Sequence, residues 1–223
     1  MVNSLKKRLG WHGRNLVIAV TAIMFLISAC INTPLPDYYV LTPEKNSVAE
    51  AVIAKVNPNV ALGIGPVTIP ETVNRPNIVT PLDSNQVEVA EYHRWSEPLI
   101  ENISRVVITN IADRLSLNKL YAYPWLGNPV DYQVRIDVLR MIGSPSQSVT
   151  MQVRWQILTG EKPRQLLLTR ISEYTEATGG DGYSPMVSAY SRAVASLSDD
   201  ISKAVSAIEN NLSGILVSGD SGA

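Results

Sequence analysis

Three consecutive segments between residues 132 and 174 alternate apolar and polar side chains, and this pattern constrains the fold more than any other feature. Alternation with a period of two is typical of β-strands that bury one face. The segments are separated by the turn sequences Gly143-Ser144-Pro145 and Gly160-Glu161-Lys162-Pro163. Because short turns join antiparallel neighbours, the pattern predicts an antiparallel meander with one buried face and one solvated face.

Two further segments repeat apolar residues at helical spacing. The first follows Ser96, the predicted N-cap, and its apolar stripe is Ile100, Ile103, Val107, Ile111 and Leu115. In the second, the stripe extends from Val187 to about Leu212, after which Gly214 is predicted to end the helix. Asp199 and Asp200 are predicted to be solvated on the surface of this helix.

Shorter apolar runs before the first helix predict additional strands. They are residues 38–41, residues 60–69, and a hairpin formed by residues 78–80 and 86–90, whereas residues 44–59 are predicted to be a loop. The element order predicts an α+β fold with a single domain over residues 37–212. Its mixed, mostly antiparallel sheet should carry two long amphipathic helices packed on one face. Residues 213–223 are predicted to be a flexible tail.

The N-terminus has the pattern of a cleaved targeting segment. A basic opening precedes an apolar run of 12 residues, Leu16 to Ile27, which is shorter than the roughly 20 residues that cross a bilayer. The run ends at Ile27-Ser28-Ala29-Cys30, which resembles the lipobox of bacterial lipoproteins and contains the only cysteine. We therefore predict a signal peptide over residues 1–29, an acylated Cys30, and a tether over residues 30–36. The alternative is an ordinary signal peptide with an incidental cysteine.

Composition excludes several classes of protein. One cysteine and two histidines provide no disulfide framework and little material for a metal centre, so no metal site and no cofactor are predicted. The net charge of −1 becomes −5 when residues 1–29 are removed, so no nucleic-acid partner is predicted. After that removal His93 is the only histidine, and there is no Gly-x-Ser-x-Gly motif. Catalytic residues are therefore predicted to be absent.

Residues 91–98 form the densest cluster of polar and aromatic side chains. In one interpretation Trp95 fills the core and Arg94 pairs with Glu91 or Glu97. In the other, the cluster is a docking surface, to which the rigid turn Asn74-Arg75-Pro76 adds a cation. The candidate partner-binding residues are Arg75, His93, Arg94 and Trp95.

Three blocks in this order resemble the PqiC-type lipoproteins, the auxiliary lipoproteins of ABC-type transporters that carry an MCE-domain subunit. The blocks are residues 62–70, residues 74–80 and residues 92–99. The resemblance implies an outer-membrane lipoprotein facing the periplasm, acylated at Cys30, without catalysis of its own. It implies an MCE-domain tunnel protein as partner, a role in lipid transport and membrane integrity, and a homo-oligomeric ring as one arrangement. Ile31 is not aspartate, which by analogy with known sorting signals favours the outer membrane.

Two other functional classes remain open from the residues alone. A lipid-anchored envelope hydrolase would need a serine and an acid brought to His93 by the fold. An assembly or activator lipoprotein for another envelope enzyme would have the same kind of domain, and only its partner would distinguish it.

Overall fold

The computed structural model describes residues 34–44 and 56–219, with side chains of the last helix described as far as residue 211. The strands are β1 (Asp37–Tyr39), β2 (Ala61–Thr68), β3 (Asn77–Pro81), β4 (Val87–Trp95), β5 (Lys119–Ala122), β6 (Tyr132–Gly143), β7 (Ser148–Thr159) and β8 (Leu166–Ala177). The helices are α1 (Leu99–Leu115), between β4 and β5, and α2 (Tyr183–Gly219), after β8. All of them belong to one unit, Pro36–Ala223. The predicted signal peptide, Cys30 and most of the predicted loop over residues 44–59 lie outside the described residues.

The α+β class is confirmed, but the strands form two sheets and not one. A three-stranded sheet has the order β1-β4-β3, and a five-stranded sheet has the order β5-β2-β6-β7-β8. Strand β2 pairs in parallel with β5 on one side and with β6 on the other. Because both edges of β2 are occupied, the β3–β4 hairpin cannot join it, and this hairpin pairs with β1 instead. The short strand β5 was not predicted, since four residues give little periodicity.

The predicted meander is confirmed, with β7 antiparallel to both β6 and β8. The apolar side chains of β6 and β7 are buried, among them Val134, Ile136, Val153 and Trp155. The solvated face is less open than expected at Gln133, which is 3% exposed. Its amide Nε2 donates to the carbonyl oxygen of Gly65 at 2.9 Å, so the side chain completes the backbone bonding of β2.

Both helices are confirmed, with corrections at their ends. The N-cap of α1 is Pro98, and no side chain caps the helix. Ser96 does not cap it because Ser96 lies two residues before the N-cap, directly after β4, where its N–H donates to the carbonyl oxygen of Tyr39 at 2.8 Å. Helix α2 continues to Gly219, beyond the end predicted at Gly214. Residues 220–223 lie outside the described part of the chain.

Asp199 and Asp200 are half-exposed on the surface of α2, as predicted, and each also has a partner on another element. Arg114 of α1 pairs with Asp199 and also donates to the carbonyl oxygens of Asn110 and Ala195, at 3.0 and 3.3 Å. The hydroxyl of Tyr174 in β8 donates to Asp200 at 2.9 Å. Burial, together with Asp200, raises the pKa of the Tyr174 phenol. These contacts join α2 to α1 and to the edge of the sheet.

Buried polar side chains connect the chain after β1 to both helices. Asn102 of α1 accepts from the N–H of Leu41 at 2.8 Å and donates to the carbonyl oxygen of Leu41 at 3.2 Å. Asn110, which lies about two turns after Asn102 in α1, accepts from the N–H of Glu44 at 3.2 Å. Ser191 of α2 accepts from the N–H of Thr42 at 3.1 Å. These side chains replace the strand partners that an extended segment would otherwise need.

Candidate docking site

Two of the sequence blocks converge on one groove, which we call the Trp95 groove. It has a volume of about 380 Å³ and is lined by Asn74, Arg75, Pro76, Trp95, Ser96, Glu97, Pro98 and Leu99. The two blocks are held together by the N–H of Trp95, which donates to the carbonyl oxygen of Pro76 at 2.7 Å. Trp95 is only 7% exposed, so most of the indole packs in the core and the remainder forms part of the groove.

The turn that carries Arg75 is held by its own backbone. The N–H groups of Val73 and Asn74 donate to the carbonyl oxygen of Pro70 at 3.0 and 3.1 Å, and the N–H of Arg75 donates to Val73 at 2.9 Å. Val73 is buried, which attaches the turn to the core. The sequence prediction of a turn here is confirmed. The Arg75 side chain therefore extends into solvent from a fixed backbone.

The charges along the Trp95 groove are not balanced. Glu97 forms an ion pair with Arg105 in the second turn of α1, so its charge is compensated from outside the groove. Arg75 is exposed and forms no ion pair in the described part of the chain. The groove thus combines apolar walls from Pro76, Trp95 and Pro98 with one uncompensated cation. Such a combination suits a partner with an apolar side chain and a negative charge.

His93 lies in a different environment, which we call the His93 cluster: Asp37, Tyr39, His93 and Tyr183. The His93 Nδ1 atom is 2.9 Å from the Tyr39 hydroxyl and 3.5 Å from a carboxylate oxygen of Asp37. Its ring stacks on Tyr183 with 3.9 Å between the ring centroids and 21° between the planes. Burial, with the Asp37 carboxylate, raises the pKa of the Tyr39 phenol. The cluster joins β1 and β4 to the start of α2.

The same cluster bears on the hydrolase alternative. The hydrogen-bonding neighbours of His93 in the structure are a tyrosine and an aspartate, and among the described residues no serine hydroxyl is bonded to it. A nucleophile would have to lie within hydrogen-bond reach of the imidazole. The described residues also contain no group of three or more histidine, cysteine, aspartate or glutamate side chains placed to hold a metal ion.

Arg94 faces neither site. It does not line the Trp95 groove, and its half-buried side chain leaves the Nε atom without a hydrogen-bond partner. The predicted pairing of Arg94 with Glu91 or Glu97 is not formed within the described residues, because Glu97 is bonded to Arg105. The structure therefore brings together two of the predicted partner-binding residues, Arg75 and Trp95, and separates Arg94 and His93 from them.

A second aromatic surface, around Trp125, was not predicted from the sequence. The indole of Trp125 lies flat over Gly63 of β2, where an added Cβ would be 2.9 Å from the ring. The guanidinium of Arg164 stands 5.8 Å from the centre of the same ring. The next residue, Leu126, is 88% exposed. No local pattern links residues 63, 125 and 164, so only the folded chain reveals their contact.

The open face of the five-stranded sheet carries a smaller cavity of about 210 Å³. Asp137, one of its lining residues, accepts from the Thr68 hydroxyl at 2.6 Å and from Arg154 at 3.3 Å. Asp137 is thereby paired, whereas Arg135, which also lines the cavity, is exposed and forms no ion pair among the described residues. The Trp95 groove is the better candidate site because it is larger and because four of its lining residues are apolar, against Pro66 and Ile136 in this cavity.

Comparisons with known proteins identify the fold and the family. An uncharacterized protein of known crystal structure superimposes with a TM-score of 0.63 at 19% identity, covering 77% of this chain and 99% of its own. A Xanthomonas campestris protein of the family DUF330 superimposes with a TM-score of 0.61 at 14% identity, covering 80% of this chain and 99% of its own. At these identities the likeness shows a shared fold. No curated protein matches the sequence at a significant level.

A family model for the ABC-type transport auxiliary lipoprotein component matches residues 39–202. The match confirms the resemblance carried by the three sequence blocks, and it spans the strands from β2 to β8 together with α1. Among the described residues, no helix is both long and apolar enough to span a bilayer. The chain belongs to the family of ABC-type transport auxiliary lipoprotein components.

Proposed function

We propose that this protein is a non-enzymatic, outer-membrane lipoprotein subunit of an ABC-type intermembrane lipid transport system. In this role it docks the periplasmic tunnel formed by an MCE-domain subunit and supports the integrity of the envelope. The observation that carries the proposal is the Trp95 groove, where two of the blocks shared with the family meet beside an uncompensated cation. A docking subunit needs such a surface and needs no catalytic group.

The anchor of this subunit is proposed to be an acylated Cys30 that precedes a short tether. Each buried methylene group of an acyl chain contributes about 0.8 kcal/mol, so several chains on one cysteine would hold the protein at a membrane stably. The mature chain would carry a net charge of −5, which does not favour an anionic lipid surface. Attachment would therefore depend on the acyl groups.

Replacement of Cys30 by serine is expected to abolish both acylation and cleavage. Mass spectrometry of the wild-type protein should show an N-terminus at Cys30 with acyl groups added, and the protein should sediment with outer membranes in a density gradient. The Cys30→Ser variant should keep residues 1–29 and gain no acyl mass, since the thiol is the acylated atom. Ser28→Ala, which keeps a small residue before the cysteine, serves as the matched control. A wild-type protein with an unmodified N-terminus would contradict the anchor.

Docking is tested by placing a photo-crosslinking amino acid at Arg75 in cells that express the transport system. We expect a crosslink from position 75 to an MCE-domain protein. Arg140, which is also an exposed arginine but lies on the open face of the five-stranded sheet, provides the matched control position. We expect at least tenfold less product from position 140.

The identity of the crosslinked protein also separates the alternatives. An envelope enzyme in the product of position 75 would favour the assembly or activator class. Equal yields from positions 75 and 140, or no product from position 75, would contradict docking through the Trp95 groove.

A further inference from the structure

We propose that the Trp95 groove recognises a short peptide segment of its partner, in which an apolar side chain stands next to a carboxylate. The apolar side chain enters the groove against Trp95, and the carboxylate pairs with Arg75. This inference deepens the proposed function and rests on it, because the groove is the proposed docking site. It adds the chemistry by which the partner is selected.

The size and lining of the groove favour a short segment as the occupant. At about 380 Å³ the groove lies near the small end of ligand cavities, which span about 300–1,000 Å³. Half of its lining residues are apolar: Pro76, Trp95, Pro98 and Leu99. An apolar side chain that enters such a cavity removes its own surface and that of the walls from water. One or a few side chains therefore supply the apolar part of the contact.

The walls favour recognition through side chains over the addition of a strand. Two of the lining residues, Pro76 and Pro98, have no backbone N–H to donate. The N–H of Trp95 is already bonded to the carbonyl oxygen of Pro76, and the N–H of Ser96 is bonded to that of Tyr39. A partner strand would find few free main-chain donors along these walls. The prolines and the hydrogen-bonded turn also fix the groove before binding, which lowers the entropic cost of association.

The charge on the partner follows from the pairing within the groove. Glu97 is neutralised by Arg105, so Arg75 is the charge that remains for a ligand. The start of α1 lies at the same groove with no side-chain cap, and the positive end of the helix dipole adds a weaker potential of the same sign. A planar guanidinium binds a carboxylate with two parallel hydrogen bonds. An isolated cation on a body of net negative charge would direct an acidic segment to this position.

Synthetic octapeptides titrated into the full mature lipoprotein in detergent micelles test this chemistry. The probe peptide has a leucine followed by an aspartate within a glycine and serine background. Control peptides replace the aspartate by asparagine or lysine, or the leucine by serine. The readout is the NMR signal of the Trp95 indole N–H, assigned with a Trp95→Phe variant. The indole signals of Trp125 and Trp155 report on non-specific effects.

We expect the leucine–aspartate peptide to bind at least tenfold more tightly than each control peptide and to shift the signal of Trp95 alone. Arg75→Glu should reverse the preference in favour of the leucine–lysine peptide, and Arg75→Gln should abolish the preference. Arg140→Glu is the matched control and should leave it unchanged. Since Arg75 is exposed, none of these substitutions removes a core contact.

Equal binding of all four peptides, or a preference that survives Arg75→Glu, would overturn the proposal. So would a shift of the Trp95 signal by phosphatidylglycerol vesicles in the absence of any peptide effect, since the groove would then meet a lipid surface. The two proposals fail separately. A crosslink from position 75 to an MCE-domain protein without peptide selectivity would keep the docking role and reject this chemistry. Selective peptide binding without that crosslink would keep this chemistry and reject the docking role.

Discussion

Replacing Gly160 by alanine is expected to cause one of the largest losses of stability of any single methyl addition in this chain. A Cβ at position 160 would lie 1.6 Å from the carbonyl oxygen of Val130, an atom of the backbone that cannot rotate away. The clash could be relieved only by separating the start of β6 from the end of β7. We expect the free energy of unfolding to fall by about 4 kcal/mol or more, within the range reserved for severe single mutations.

The position of Gly160 explains why the damage would spread beyond one turn. The N–H of Gly160 donates to the carbonyl oxygen of Asp131 at 2.7 Å, and the Asp131 carboxylate accepts from the N–H of Ala61 at 2.8 Å. The first residues of β2 and β6 and the end of β7 are therefore connected through this point. A shift in the backbone of any one of these three strands would therefore strain the hydrogen bonds that the other two make at this point.

Thermal and denaturant unfolding of the purified variant would measure the effect. Gly180→Ala is the matched control, because position 180 is exposed and its added Cβ would meet only Pro185, at 3.3 Å. We expect the control to change the free energy of unfolding by less than about 1 kcal/mol. A Gly160→Ala variant as stable as the control would mean that the β6–β7 connection adopts another path.

Asn102→Ala is the second substitution with a large expected effect. Asn102 is 1% exposed and bonds to both backbone polar groups of Leu41, which is itself fully buried. Its removal leaves a buried N–H and a buried carbonyl oxygen without partners, at about 1–3 kcal/mol each. We expect the free energy of unfolding to fall by about 3 kcal/mol.

Hydrogen exchange of the Asn102→Ala variant should also show which part of the fold is destabilised. Hydrogen exchange of the Leu41 amide should accelerate more than that of amides in the β6–β7 pair, because the lost bonds attach the segment after β1. Asn128→Ala, which removes a hydrogen bond from an exposed asparagine, is the matched control and should cost less than about 1 kcal/mol. Equal losses in the two variants would show that Asn102 contributes no more than a surface amide.

These bonds have a consequence for the proposed role. The segment that follows β1 is bonded to α1 through Asn102 and Asn110 and to α2 through Ser191. The His93 cluster attaches β1 itself to the start of α2. If the chain before β1 is anchored in a membrane as proposed, force on the tether would be transmitted into the helical layer and not only to a short edge strand. His93 then serves as a structural residue.

Local periodicity determined a large part of the fold. The alternation over residues 132–174 predicted β6, β7 and β8, and the helical spacing of Ile103, Val107 and Ile111 predicted α1. The hairpin of β3 and β4 followed from two β-prone runs around a polar turn. Each of these signals arises from neighbouring residues, because burial on one face imposes a period of two on a strand and of 3.6 on a helix.

The candidate site was predictable only in part, for the same reason. Arg75 and Trp95 were identified by their residue types, but their meeting at one groove depends on the bond between Trp95 and Pro76 across the β3–β4 hairpin. Neighbouring His93 belongs to another cluster because its ring packs on Tyr183, 90 residues further along the chain. The spacing of residues in the sequence does not predict which distant element will pack on a given strand position.

The amino-acid sequence by itself determined the α+β class, the meander, the two amphipathic helices and the turn at Arg75, since these depend on interactions between residues close along the chain. The tertiary structure decided the division into two sheets, the pairing of Arg114 with Asp199, the contact of Trp125 with Gly63 and the shape of the Trp95 groove. The physical reason is that each of these depends on which strand edges and side chains remain free once the other elements have packed.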